Sequence, residues 1–117
     1  MSLVDEQAAF LLDVVKLIQK ATELGFKVTG KELQRSLEEQ KKFVREGRSK
    51  TLRSNHLNCT AIDLYFFIND ENNKNKLTYD IALLKPIGDF WESLNPKNRW
   101  GGNWNSFKDV PHFERNI

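Results

Sequence analysis

The run Thr60-Ala61-Ile62-Asp63-Leu64-Tyr65-Phe66-Phe67-Ile68 is the clearest strand in the chain. β-branched, aromatic and aliphatic side chains dominate it, the composition that fits a pleated and half-buried surface. Asp63 is its one charged residue. A carboxylate is costly to bury unless a cation, a metal or hydrogen bonds compensate it. Strand alternation offers the other outcome, in which Asp63 faces water while Ile62 and Leu64 face the core.

Upstream, residues 47–58 are polar, basic and rich in turn formers, and read as a loop. Ser36-Leu37-Glu38-Glu39 has the form of a capping box, with Ser36 as N-cap and Glu39 reaching back. The helix it opens runs through Gln40 and Phe43 to Glu46, with Gly47 as its stop. Residues 26–34 alternate loosely around Val28 and Leu33 and predict a short strand or extended segment. Over residues 5–24, Leu11, Val14, Ile18 and Ala21 recur at three- and four-residue steps beside Phe10, Leu17 and Leu24, and Gly25 follows as a left-handed cap. That pattern predicts a helix packed on the core.

Downstream, residues 69–76 are rich in Asn, Lys and Asp and read as a solvated turn or hairpin tip. Residues 79–94 predict a helix that Pro86 must start or break. Gly101-Gly102 marks a tight backbone, and residues 112–116 read as a final edge strand. Helices interleaved with short strands imply an α+β fold, with helices packed on a small antiparallel sheet.

The chain has 117 residues, enough for one domain spanning 1–117. With 39% hydrophobic and 29% charged residues it has the balance of a globular protein, not of a disordered or membrane-spanning one. The lone Cys59 excludes an internal disulfide. A net charge of +2 is too weak to imply a nucleic-acid partner, and no nucleic-acid-binding motif accompanies the basic residues. No apolar run approaches the roughly 20 residues that span a bilayer. The start, Met1 to Glu6, lacks the basic and apolar regions of a signal peptide, so synthesis in a cytoplasm and a monomer without stable membrane insertion are expected.

The two histidines stand in polar settings: His56 in Ser54-Asn55-His56, seven residues before Asp63, and His112 in Asp109-Val110-Pro111-His112-Phe113-Glu114. Two imidazoles and one carboxylate are a known ligand set for a catalytic zinc, which leaves a position for water and polarises a carbonyl. Such a site also needs a carboxylate that is not a ligand, to carry a proton from the water to the leaving amine. Asp109, three residues before His112, is placed for that work.

Several motifs agree in order. Ser54-x-His56, six residues, then Asp63, followed by Trp100-Gly101-Gly102-Asn103-Trp104 and Asp109-x-Pro111-His112-Phe113-Glu114, resemble the VanY-type zinc D-alanyl-D-alanine carboxypeptidase family, which includes phage endolysins that cut the L-alanyl-D-glutamate bond of peptidoglycan. Gln34-Arg35-Ser36-x-Glu38-Glu39-Gln40 and Gly47-x-Ser49 extend the resemblance, which spans roughly residues 25–115. It implies that His56, Asp63 and His112 hold Zn²⁺ on the sheet, that Asp109 is general base and acid, and that Arg35 binds the substrate carbonyl or developing oxyanion. It leaves Ser54 either near the metal or capping its loop, and offers Glu114 as the group that orients a ligand histidine.

There are two departures from the family pattern. Cys59 stands where many members have glycine, four residues before the ligand aspartate, and is either a further ligand or a small buried thiol. Asp109 stands where dipeptidase-like members have glutamate, which is closer to the endolysin branch. Trp91, Trp100 and Trp104 serve the core or a substrate groove, and Arg45, Arg48, Lys50 and Arg53 form a solvated or steering basic run. The expectation is therefore a zinc peptidase of bacterial peptidoglycan stem peptides, an L-alanyl-D-glutamate endopeptidase of phage or prophage origin, released to the wall through a holin. The alternatives are a D-alanyl-D-alanine carboxypeptidase of the same family or a non-catalytic phage structural or wall-binding domain.

Overall fold

The computed structural model describes residues 2–31, 33, 36–47 and 54–117. Helix α1 spans Leu3–Glu23. Its start is a reciprocal cap: Ser2 Oγ accepts the Asp5 N–H at 3.1 Å and the Asp5 carboxylate accepts the Ser2 N–H at 3.2 Å. Its end is a Schellman motif. Gly25 takes φ +95°, and the Phe26 and Gly25 N–H groups close on the Ala21 and Thr22 carbonyls, each at 3.0 Å.

The buried face of α1 is Phe10, Val14, Leu17 and Ala21. Leu11 and Ile18, expected in the core, are instead 46% and 37% exposed. Each follows a buried residue by one position, about 100° around the helix, and the sheet covers only one of the two apolar stripes.

Five antiparallel strands follow the order β1-β2-β5-β4, with β3 also on β2. They are β1 (Lys27–Lys31), β2 (Ala61–Asp70), β3 (Asn73–Thr78), β4 (Asn98–Trp100) and β5 (His112–Arg115). Strand β1 occupies one edge of β2, and β5 and β3 share the other. Helix α2 spans Leu37–Arg45, its first turn capped by Ser36 Oγ on the Glu39 N–H at 3.1 Å. Helix α3 spans Ile81–Leu94, where Asp80 accepts the Leu83 N–H. No described helix is long and apolar enough to cross a membrane.

Three expectations are corrected. The segment 69–76 is mostly strand: β2 continues to Asp70 and β3 begins at Asn73, leaving a two-residue tip. Its polar composition suits a solvated outer strand, which is why it resembles a turn. Residues 112–115 are not an edge, because Glu114 pairs with Ala61 on one side and Arg99 on the other. The three-residue β4 that covers it is too short to show any periodicity. Helix α3 neither starts nor breaks at Pro86; it runs through it. Ala82 and Pro86 are both exposed, so solvent is at hand for the carbonyl that Pro86 leaves without a donor, while buried Leu84 and Ile87 anchor the helix.

One face of the sheet meets α1 and α3. Leu64, Phe66, Trp100 and Phe113 pack there against Phe10, Leu17, Leu84, Ile87 and Trp91. The aromatic rings meet edge to face, with Phe10–Trp91 at 5.6 Å and Trp91–Phe113 at 6.0 Å, and Trp100 stacks on Phe113 at 6.3 Å. The Trp91 indole donates to the Glu114 carbonyl at 3.1 Å, and that of Trp100 to the Val110 carbonyl at 2.8 Å. Buried Arg115 ties β5 to α1 through Asp13 and donates from Nε to Asn98 Oδ1 at 3.2 Å.

Gly88 is the point of closest approach: a Cβ there would stand 2.0 Å from the Trp100 ring. Replacing glycine by alanine in an exposed helix stabilises it by about 1 kcal/mol. Here Gly88→Ala should instead destabilise, by about 1–3 kcal/mol or more, because a fully buried tryptophan must move. Urea unfolding followed by tryptophan fluorescence, with a lowered midpoint, checks this.

Candidate metal centre

Alternation along β2 sends Leu64 and Phe66 into the core and Asp63 to the opposite face. Asp63 does turn away from the core, yet it is only 9% exposed, because it turns into a polar cluster rather than into water. On β5, Phe113 takes the core face, so His112 and Glu114 share the face of Asp63. Asp63 and His112 are directly paired across the two strands, which brings their side chains together.

His56 arrives from a 3-10 turn at Asn55–Asn58 that leads into β2. Ser54 caps that turn, its Oγ accepting the His56 N–H at 3.3 Å, so of its two anticipated roles the capping one is observed. Cys59 ends the turn at φ +56°, a left-handed conformation that glycine adopts without penalty. The half-buried thiol is outside the metal-type cluster found among the described residues.

His56, Asp63 and His112 each offer one ligand atom, and these atoms lie within 4.8 Å of one another. His56 Nε2 is 3.4 Å and His112 Nδ1 3.7 Å from Asp63 Oδ1. Both ring nitrogens of His56 and Asp63 Oδ1 are buried without a hydrogen-bond partner. Buried polar atoms are costly to leave so, and a divalent cation would engage His56 Nε2 and Asp63 Oδ1, which converge here. The residues therefore fit a metal, and two imidazoles with one carboxylate are the donor set of zinc among others.

The second nitrogen of His112, Nε2, meets Glu114 Oε1 at 2.7 Å. Glu114 is buried and receives Asn55 Nδ2 at 2.9 Å and Arg99 Nε at 2.8 Å on its other oxygen. A carboxylate held this way fixes the imidazole with Nδ1 turned toward Asp63. Burial opposes the charged form of His112, but the nearby Asp63 carboxylate, the bond to Glu114 and the charges of Glu114 and Asp109 push its pKa up to about 9. Burial likewise works to raise Asp63, and the two histidines outweigh it, holding the carboxyl well below the usual range. Glu114 is lowered in the same way, burial being outweighed by His112 and Arg99.

Asp109 stands at the mouth, Oδ2 3.9 Å from His112 Nδ1, with its side chain 42% exposed. The Trp100-Gly101-Gly102 corner sets its position. The Asp109 N–H donates to the Gly101 carbonyl at 3.1 Å, and a Cβ on Gly101 would fall 2.1 Å from the Asp109 carbonyl oxygen. Trp104 is half-buried with its ring 5.2 Å from that of His112, whereas Trp91 and Trp100 belong to the core. Arg35, Ser49 of the Gly47-x-Ser49 motif, and Arg48, Lys50 and Arg53 of the basic run lie outside the described residues. Arg45 is exposed at the end of α2.

Sequence reasoning missed Asn55 and Arg99. Arg99 reaches Glu114 only because β4 and β5 pair in that register, and no linear spacing announces it. The support is testable. Glu114→Gln keeps an acceptor for Arg99 but loses the charge behind His112, and should weaken metal affinity about 10–100-fold in a competitive chelator titration.

A family model described as D-alanyl-D-alanine carboxypeptidase matches residues 47–115, which include His56, Asp63, Asp109 and His112. The crystal structure of the L-Ala D-Glu endopeptidase ChiX of Serratia marcescens is similar over 89% of this chain and 78% of that one, with 28% identity and a TM-score of 0.66.

Proposed function

This chain belongs to the D-alanyl-D-alanine carboxypeptidase family and is a peptidase, and from that premise we propose that it is a zinc enzyme cutting the L-alanyl-D-glutamate bond of peptidoglycan stem peptides. The observation that carries the reading is the convergence of His56, Asp63 and His112, with buried lone pairs that nothing else in the described residues engages. The similarity to an L-Ala D-Glu endopeptidase over most of both chains favours that bond. The family's own description keeps a D-alanyl-D-alanine carboxypeptidase as the second reading.

In this proposal His56, Asp63 and His112 hold the zinc. When bound there, zinc supplies Lewis acidity, acidifying water and polarising the scissile carbonyl. Asp109, beside His112 at the open side of the cluster, takes a proton from the attacking water and returns it to the amine nitrogen as the carbon–nitrogen bond breaks. Glu114 keeps the His112 ring in place throughout. Arg35 is assigned to the carbonyl oxygen, where a fixed positive charge favours developing negative charge. The setting proposed with it is an endolysin released to the wall through a holin.

The test is digestion of purified peptidoglycan by the zinc-loaded chain, with the products read by mass spectrometry. Fragments with a new N-terminal D-glutamate are expected. Release of free D-alanine instead would establish the carboxypeptidase reading, and no product of either kind would overturn both.

A further inference from the structure

Strand β1 lies on the edge of β2 away from β5, in a register that pairs Lys31 with Asp63. Residues paired this way share a face with their Cα atoms about 4.5–5.5 Å apart, so Lys31 flanks the cluster on the side opposite His112. Its side chain is exposed, and among the described residues it has no ion-pair or hydrogen-bond partner. Among the described residues, Arg99, Lys108 and Lys27 on this side are engaged. Arg99 holds Glu114, Lys108 donates to the Gly102 and Trp104 carbonyls, and Lys27 donates to Asn75 Oδ1 at 3.0 Å. An ammonium on a stem of about 6 Å, with no such partner and beside a buried metal-type cluster, is a place for an anion.

The two candidate bonds share one chemical feature. In D-alanyl-D-alanine the residue that leaves carries a free α-carboxylate on the carbon bonded to the departing nitrogen. In L-alanyl-D-glutamate it does so too, because the stem continues through the glutamate side chain. We propose that Lys31 binds this α-carboxylate and so orients the leaving residue toward β1, an inference that rests on the peptidase reading. The same face has room for the rest of the stem beyond that residue. Thr29 is paired with Tyr65 and Lys27 with Phe67, and a depression of about 330 Å³ opens among Lys27, Thr29, Phe67 and Asn75. Trp104, beside His112, is left to wall the other flank.

The experiment uses two synthetic stem peptides that differ only in the D-glutamate α-carbon substituent, carboxylate in one and carboxamide in the other. The wild-type chain should favour the carboxylate about tenfold in kcat/KM, the value of a partly solvated charge-assisted bond. In Lys31→Met the ratio should fall to about one with zinc content unchanged, and Lys31→Arg should restore it. An unchanged ratio in Lys31→Met overturns the proposal. The same ratio measured as dissociation constants with Asp109→Asn separates the two failures. Absence of wild-type hydrolysis sinks the peptidase reading, whereas equal binding of both peptides by the unsubstituted and Lys31→Met forms sinks the role of Lys31.

Discussion

Dialysed against zinc and then buffer, the wild-type chain should carry one zinc per chain and His56→Ala none, by elemental analysis. His56 is the sharpest probe because it is 1% exposed and both its ring nitrogens lack partners. Without its imidazole, a cation would keep only Asp63 and His112, two protein ligands where a catalytic zinc takes three. Hydrolysis should fall to background in the same variant. Metal should also stabilise the wild type, since a ligand that binds only the folded state at 1,000 times its Kd adds roughly 4 kcal/mol. Chelation should therefore lower the thermal midpoint of the wild type and leave that of His56→Ala unmoved. Equal zinc in both proteins would show that the cluster is not the binding site.

Asp109→Asn should keep the full zinc complement and lose about 10²–10⁴ in kcat, the usual weight of a positioned general acid–base group. The two effects separate because Asp109 is outside the ligand cluster, 3.9 Å from His112 Nδ1. Asparagine has the same shape and leaves the Asp109 main-chain bonds to Gly101 and His112 untouched, so the fold should not suffer. It has no carboxylate to accept a proton. Hydrolysis of peptidoglycan at the wild-type rate by Asp109→Asn would remove this residue from the mechanism and assign the proton transfer to another acid near the cluster.

Much of the architecture is legible in local sequence. The caps at Ser36 and Gly25 and the apolar run of β2 involve hydrogen bonds or side chains close in sequence, so their physics is local. Strands β3 and β4 are not legible in this way. The residues 73–78 are polar, and 98–100 are too few, so each becomes a strand only because a neighbour offers it hydrogen bonds. The course of α3 through Pro86 and the choice between the two apolar stripes of α1 are likewise settled by what packs against them.

The site divides along the same line. Residue types and motif order single out His56, Asp63, Asp109, His112 and Glu114, because a donor set and its spacing are chemical facts carried by the chain. Which nitrogen of His112 faces Asp63, that Asn55 and Arg99 stand behind Glu114, and that Lys31 flanks the cluster all depend on strand register. A shift of one residue would turn His112, Arg99 or Lys31 to the other face of the sheet. Register is set by the burial of Leu64, Phe66 and Phe113 against two helices far away in sequence, a balance no single segment contains.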